Sequence, residues 1–203
     1  TAFLSLRLSQ SLALLPGETR VTGKWNSAPF GKTGTPRQDL QAGLPLGVTV
    51  YAVDPHPAEV PPYVKACWPQ SGLDQLCRVS DWLVIAAPYT TETRRAIDRR
   101  RIALLKQGAH VIVVSRGGIV DEAALADGLR EGRLAGAALD ATEVEPLPPT
   151  SPLWGVPNVI ITPHVSALSP EMYEGRRRIF RENLRRFVAG EDLLHVCDKR
   201  AGY

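Results

Sequence analysis

HVIVVSRGGIVDEAALADGLREGRLAGAALDATEVEP, from His110 to Pro146, decides how the rest of the chain is read. Val111 to Val114 is an unbroken β-branched run, the pattern of a strand buried on both faces of a parallel sheet. Ser115-Arg116-Gly117-Gly118 stops it abruptly. Asp121 can cap a helix whose inward residues are Ala124, Leu125 and Leu129, and Gly132 stands where such a helix ends. Leu134 to Leu139 is a second apolar run, closed by Asp140. Strand, helix and strand over about thirty residues make a βαβ unit. Ligands of such sheets collect at the carboxyl ends of the strands, where Arg116 and Asp140 both stand. A guanidinium closing an apolar strand is costly unless something accepts from it, so Arg116 is a candidate for binding an acid.

The words VVSRGGIVDEAALADGLREGRLAGAALDATEVEPLP, followed by SPLWGVPNVIITPHVS, closely resemble the D-isomer-specific 2-hydroxyacid dehydrogenases. The resemblance implies an α/β, doubly wound parallel sheet of the Rossmann-like kind. It also implies an NAD-dependent oxidoreductase that interconverts a small D-2-hydroxy acid and its 2-oxo acid. It sets Ala87, Pro88, Val114, Ser115, Arg116, Asp140, His164 and Ser166 against the cofactor, with Asp140 on the nicotinamide carboxamide. Members of the family commonly dimerise through this domain, so a homodimer is expected.

Around that stretch the chain divides into three parts. Thr1 to Leu15 has its apolar residues at helical spacing and ends at Pro16-Gly17, which predicts a helix. In the resembling family such a helix, through a Gly-Lys-Trp like Gly23-Lys24-Trp25, joins a substrate domain to the nucleotide domain. Residues 1–25 are therefore read as an interdomain helix and linker, 26–166 as the NAD-binding domain, and 167–203 as a helix and tail returning toward the substrate domain. The nucleotide domain is incomplete over 33–47. Its family pattern there is a strand followed by G-x-G-x-x-G, whose amides hold the pyrophosphate. Asn26 to Gly47 contains no such spacing, and Pro36 and Pro45 argue against a central strand. Three outcomes are open: an incomplete sheet, a substitute segment in the gap, or residues lost from the chain.

Val48, Val50, Ala52 and Val53 then make a strand ended by Asp54. An acid at that position can accept both ribose hydroxyls and repel the extra phosphate of NADP, which favours NAD. Pro55 to Gly72 is proline-rich and is read as a surface connection, with a short helix at Leu73, Leu76 and Cys77. Trp82 to Ala86 and Asn158 to Thr162 supply further strands, and Asp98 caps a helix between them. The last helix has Ser169 as cap, Gly190 past its end, and Met172, Ile179, Leu184 and Phe187 as its inward stripe.

Oxidising a 2-hydroxy acid needs a base for the hydroxyl proton, a cation for the carboxylate and a hydride acceptor. His164, after the last strand, suits the base, because imidazole titrates near ~6.5. Glu145 would orient its ring and Arg116 would hold the acid with a fork that Lys cannot copy. Glu143 competes with Glu145, but the family's acid stands immediately before the proline. Composition bounds the alternatives. A net charge of +3, from 24 basic and 21 acidic residues, is too small to argue for nucleic acid. The arginine clusters fall on predicted helices as solvated faces. Cys67, Cys77 and Cys197 have neither disulfide nor zinc spacing and are read as reduced residues of a cytoplasmic protein. Neither a metal site nor a membrane span is expected. The competing reading is a catalytically inactive fragment or non-enzymatic dimerising relative, motivated by the missing glycine loop.

Overall fold

The runs at Val48, Trp82, Val111, Leu134 and Val159 all become strands of one sheet. In the computed structural model of the chain, the described residues are 3–8, 48–54, 60 and 62–196. The strands are β1 (Phe3–Leu8), β2 (Val48–Val53), β3 (Val64–Trp68), β4 (Trp82–Ile85), β5 (Ala109–Val113), β6 (Leu134–Leu139) and β7 (Val159–Ile161). Helices α1 (Leu73–Val79), α2 (Arg99–Leu104), α3 (Glu122–Arg130) and α4 (Pro170–Ala189) alternate with them. The sheet order is β3-β2-β1-β4-β5-β6-β7. That is the doubly wound order, in which the third, second and first strands precede the fourth.

Two expectations for this sheet need correction. The helix expected over Thr1 to Leu15 is, at Phe3–Leu8, a strand. It occupies the central position between β2 and β4, where the glycine-loop strand was expected. Its direction is reversed: β1 pairs antiparallel with both β2 and β4, Phe3 lying opposite Val53 and Ile85, and Leu8 opposite Val48. The physical reason lies partly in the residues, since Leu4, Leu6 and Leu8 alternate with Ser5 and Arg7, a period of two that serves a strand as well as a helix. The rest comes from the neighbours, whose edges would otherwise hold unpaired backbone groups at about 1–3 kcal/mol each when buried. The second correction concerns Pro55 to Gly72. Val64–Trp68 forms an edge strand parallel to β2, with β-branched and aromatic residues between its flanking prolines. The remainder of the 1–25 helix and linker, the 33–47 gap, His56 and Cys197 lie outside the described residues.

Helices α1 to α3 cover one face of the sheet. Leu73, Leu76, Ile102, Leu125 and Leu129 pack there with Val53, Leu83, Ile85, Val111, Val113 and Leu139 in one buried cluster. Strand β5 shows why: Ala109, Val111 and Val113 are buried while His110 and Ile112 between them are not. Each buried Leu or Ile contributes about 1.5–3 kcal/mol. The caps anticipated at Asp98, Asp121 and Ser169 form, each side chain accepting a backbone N–H three residues on. Helix α4 also forms, ending at Gly190 in the left-handed conformation. Among the described residues its expected inward stripe does not close. Met172 is buried, but Leu184 is 54% and Phe187 73% exposed.

Several of the clustered arginines pair with carboxylates, among them Arg99, Arg100, Arg101, Arg185 and Arg186. Asp74 of α1 accepts from Arg100 and Arg101 of α2, and these two guanidinium groups hold its carboxyl well below the usual 3.8. A depressed carboxylate contributes stability that is present above its unfolded pKa and lost as pH falls through the folded value. Asp74→Asn should therefore destabilise the fold by about 1 kcal/mol at neutral pH, a value already discounted for solvent screening. The difference from the parent should vanish in urea unfolding once the pH lies far enough below 3.8 to protonate Asp74 in the folded parent.

Candidate active site

Parallel register brings the strand ends together. Val113 of β5 lies opposite Leu139 of β6, and Leu139 opposite Ile161 of β7. Val114 N donates to Ile85 O, Asp140 N to Val113 O and Thr162 N to Leu139 O, extending each ladder by one step. The rim thus carries Ala87 and Pro88 after β4, Val114 to Arg116 after β5, Asp140 to Glu145 after β6, and Thr162 to Ser166 after β7.

His164 is the focus of that rim. Its Nδ1 lies 3.0 Å from Glu145 Oε2 and 3.1 Å from Oε1. An ionised carboxylate only accepts, so Nδ1 carries the hydrogen and Nε2 is the atom left to exchange a proton. The hydrogen bond from His164 does most to hold the Glu145 carboxyl below its ordinary range. Burial opposes it, while the Thr142 N–H, at 3.1 Å, and the nearby positive charge of Arg116 act in the same direction as His164. Glu143, the competing acid, points elsewhere: its carboxylate lies 3.9 Å from Arg95, and its N–H donates to Glu122 Oε1 at 2.5 Å. Arg116 is exposed, and its Nη1 donates to the Ser115 carbonyl at 2.7 Å.

The ring is held in an unusual backbone setting. His164 has φ 55°, in the left-handed region that costs a non-glycine residue energy. Asp140 over-determines that turn. Thr162 Oγ1 and Val165 N donate to its Oδ1 at 2.5 and 2.9 Å, and Ser166 N donates to its Oδ2 at 2.9 Å. Asp140 is only 6% exposed. Burial would raise its carboxyl, but the bonds from Ser166, Thr162 and Val165 outweigh it and leave the net shift downward. Sequence reasoning placed Asp140 and Ser166 at the rim without seeing that they are bonded to each other.

Gly117 lets these loops touch. A Cβ there would sit 1.9 Å from Thr142 O and 2.4 Å from Glu143 N, so no larger residue fits beneath the loop that carries Glu145. Gly118, at φ 75°, packs under the Tyr89 ring. Thr93 closes the β4 loop, being 3% exposed and donating to Pro88 O at 2.7 Å. Thr142 and Glu122 were not anticipated: a short polar side chain in a loop carries no periodicity, and the first residue of a helix does not show which loop it reaches. Of the other histidines, His110 stacks on Trp82 at 3.9 Å and burial lowers it, while His195 is exposed on the tail beyond α4.

The rim suits the nicotinamide end of a dinucleotide. The buried Ser115 Oγ has no partner among the described residues, and beside it the rim carries Asp140, whose carboxylate accepts from Thr162, Val165 and Ser166. Asp54, half-buried, follows β2 at the same edge of the sheet. The pyrophosphate position is different. Because β1 is reversed, the chain leaves it beside Val48, at the edge away from this rim.

A largely parallel, doubly wound α/β sheet binds its ligands at the carboxyl rim, where these charged residues gather. The model of the D-isomer specific 2-hydroxyacid dehydrogenase NAD-binding domain matches residues 30–166, and the chain belongs to that family. It is 34% identical over 170 residues to D-3-phosphoglycerate dehydrogenase of Methanocaldococcus jannaschii, covering 83% of this chain and 32% of that protein. It is 40% identical over 119 residues to glyoxylate/hydroxypyruvate reductase B of Pectobacterium carotovorum, covering 59% of this chain and 37% of the relative. The chain therefore spans about a third of the curated relatives it matches. Among solved structures, a D-isomer specific 2-hydroxyacid dehydrogenase of Xanthobacter autotrophicus in complex with NADPH and MES superposes with a TM-score of 0.69 at 39% identity. That match covers 78% of this chain and 64% of the other. Among the described residues no helix is long and apolar enough to cross a membrane.

Gly117→Ala forces apart the loops of β5 and β6 and should lower stability by about 1–3 kcal/mol, the usual penalty of overpacking. Chemical denaturation measures it. A change smaller than a few tenths of a kcal/mol would show that the contact with Thr142 is not tight.

Proposed function

We propose that this chain is the cofactor-binding and catalytic part of an NAD-dependent oxidoreductase that interconverts a small D-2-hydroxy acid and its 2-oxo acid. The observation that carries the reading is the His164–Glu145 pair, 3.0 Å apart, at the rim where Arg116 also stands. Arg116, Glu145 and His164 are its catalytic residues. Arg116 offers a planar fork to the substrate carboxylate and to the oxygen on C2. His164 takes the hydroxyl proton on Nε2 in the oxidation direction and returns it in reduction. Glu145 keeps the ring oriented through Nδ1. NAD, when bound, supplies the hydride acceptor. Asp140 would hold the carboxamide, with Ala87, Pro88, Val114, Ser115 and Ser166 lining that end and Asp54 on the ribose. Asp54 favours NAD over NADP by repelling a 2′-phosphate.

A homodimer is part of this reading. Its support is the apolar side of α4, where Phe180, Phe187 and Val188 are 68%, 73% and 80% exposed. The free thiols of Cys67 and Cys77 suit a reducing, cytoplasmic setting; burial pushes the Cys77 thiol up to about 12. One observation favours the competing reading, a non-enzymatic relative: the reversed β1, which takes the chain away from the pyrophosphate position.

Stopped-flow or steady-state NADH oxidation with glyoxylate, hydroxypyruvate and phenylpyruvate tests the proposal. His164→Ala should reduce kcat/KM by about 10²–10⁴-fold, the usual worth of a general acid–base group. Arg116→Lys should raise the substrate KM and lower kcat. Absence of turnover together with no NADH fluorescence change up to millimolar cofactor would favour the non-enzymatic relative. Asp54→Ala should bring NADPH closer to NADH in kcat/KM; an unchanged ratio would remove Asp54 from the ribose site.

A further inference from the structure

The loop from Asp140 to Pro146 carries Glu145 but has little hydrophobic anchorage of its own, because Glu143, Val144, Glu145 and Pro146 are all exposed. What fixes it is polar. Thr142 N donates to Glu145 Oε1, and Thr142 Oγ1 donates to Val144 O at 3.0 Å. Between them, Glu143 N donates to Glu122 Oε1 at 2.5 Å. Glu122 is the first residue of α3, immediately after its Asp121 cap, and is half-buried. Helix α3 is itself seated by Ala124, Leu125, Ala126 and Leu129 in the core. A rigid helix thus reaches, through one carboxylate, the backbone two residues before Glu145.

We infer that Glu122 is a positioning residue for the acid–base pair, tying the Glu145 loop to α3 so that the carboxylate meets His164. This rests on the function proposed above. An acid at the start of a helix has a plainer role, favouring the positive end of the helix dipole by about 0.3–1 kcal/mol. That role needs only charge near the N-terminus, whereas the tie needs reach and an acceptor oxygen. Burial pushes the Glu122 carboxyl above its ordinary range, with the negative charges of Glu143, Asp121 and Glu145 adding to it and the Glu143 N–H opposing. Arg95 is the positive group on the far side, next to Glu143. A protonated Glu122 still accepts through its carbonyl oxygen, so the tie does not depend on its ionisation.

Three substitutions in the full chain separate the roles. Glu122→Gln keeps the reach and the acceptor but loses the charge. Glu122→Asp keeps the charge but is one methylene short. Glu122→Ala loses both. A positioning role predicts that Gln is close to the parent while Asp and Ala lower kcat by about 10–100-fold, the cost of a displacement near 1 Å at reacting groups. The KM for NADH should stay unchanged. A helix-dipole role predicts the opposite order, Asp normal and Gln impaired, and would overturn the inference.

A second readout needs no turnover. The carboxyl ¹³C titration of Glu145 should shift upward in Glu122→Asp, remain in place in Glu122→Gln, and shift upward in a His164→Ala control. If the control leaves it in place, the pairing itself fails. If the control moves it and Glu122→Asp does not, only the role of Glu122 fails. Should Glu122→Ala not fold, the Gln and Asp pair carries the comparison unaided.

Discussion

The register between three neighbouring parallel strands is the constraint on which the site depends. With Val113 opposite Leu139 and Leu139 opposite Ile161, the chain must emerge from β5, β6 and β7 at one level. A slip of one residue would turn Val111, Val113 and Leu139 out of the core and carry Arg116 and Asp140 away from each other. The burial of these side chains against α2 and α3 therefore sets where charges stand at the rim. Packing here does the work of positioning, and the polar residues refine it.

That refinement is built from backbone as much as side chain. Gly117 permits contact between two loops that any Cβ would separate. Asp140 gathers the turn around His164 by accepting from residues on both sides of it. The left-handed φ of His164 is affordable because those bonds leave the turn no alternative. A buried carboxylate with its lone pairs so engaged is stable as an anion.

Much of this was legible in the sequence. The β-branched run at Val111, the caps at Asp98, Asp121 and Ser169, and the polar residues closing each strand follow from local pattern. The choice of Glu145 over Glu143 came from its place before Pro146, and the geometry puts Glu145 on His164. What escaped was whatever depends on distant partners. Phe3 to Leu8 satisfies both a helical and an alternating count, and only the vacancy between β2 and β4 selects the strand. Val64–Trp68 was hidden by its prolines, which an edge strand tolerates. The bonds of Glu122 and Thr162 join loops some twenty residues apart, as in the separation of 21 between Glu122 and Glu143, and no local window reveals them.

Whether a guanidinium and an imidazole serve one substrate is the question that decides the account. A crystal structure of the protein soaked with NADH and oxamate addresses it directly. The account predicts the oxamate carboxylate on the Arg116 fork and its carbonyl oxygen within hydrogen-bond distance of His164 Nε2. Oxamate bound to neither residue, or to Arg116 with His164 turned to solvent, would contradict it.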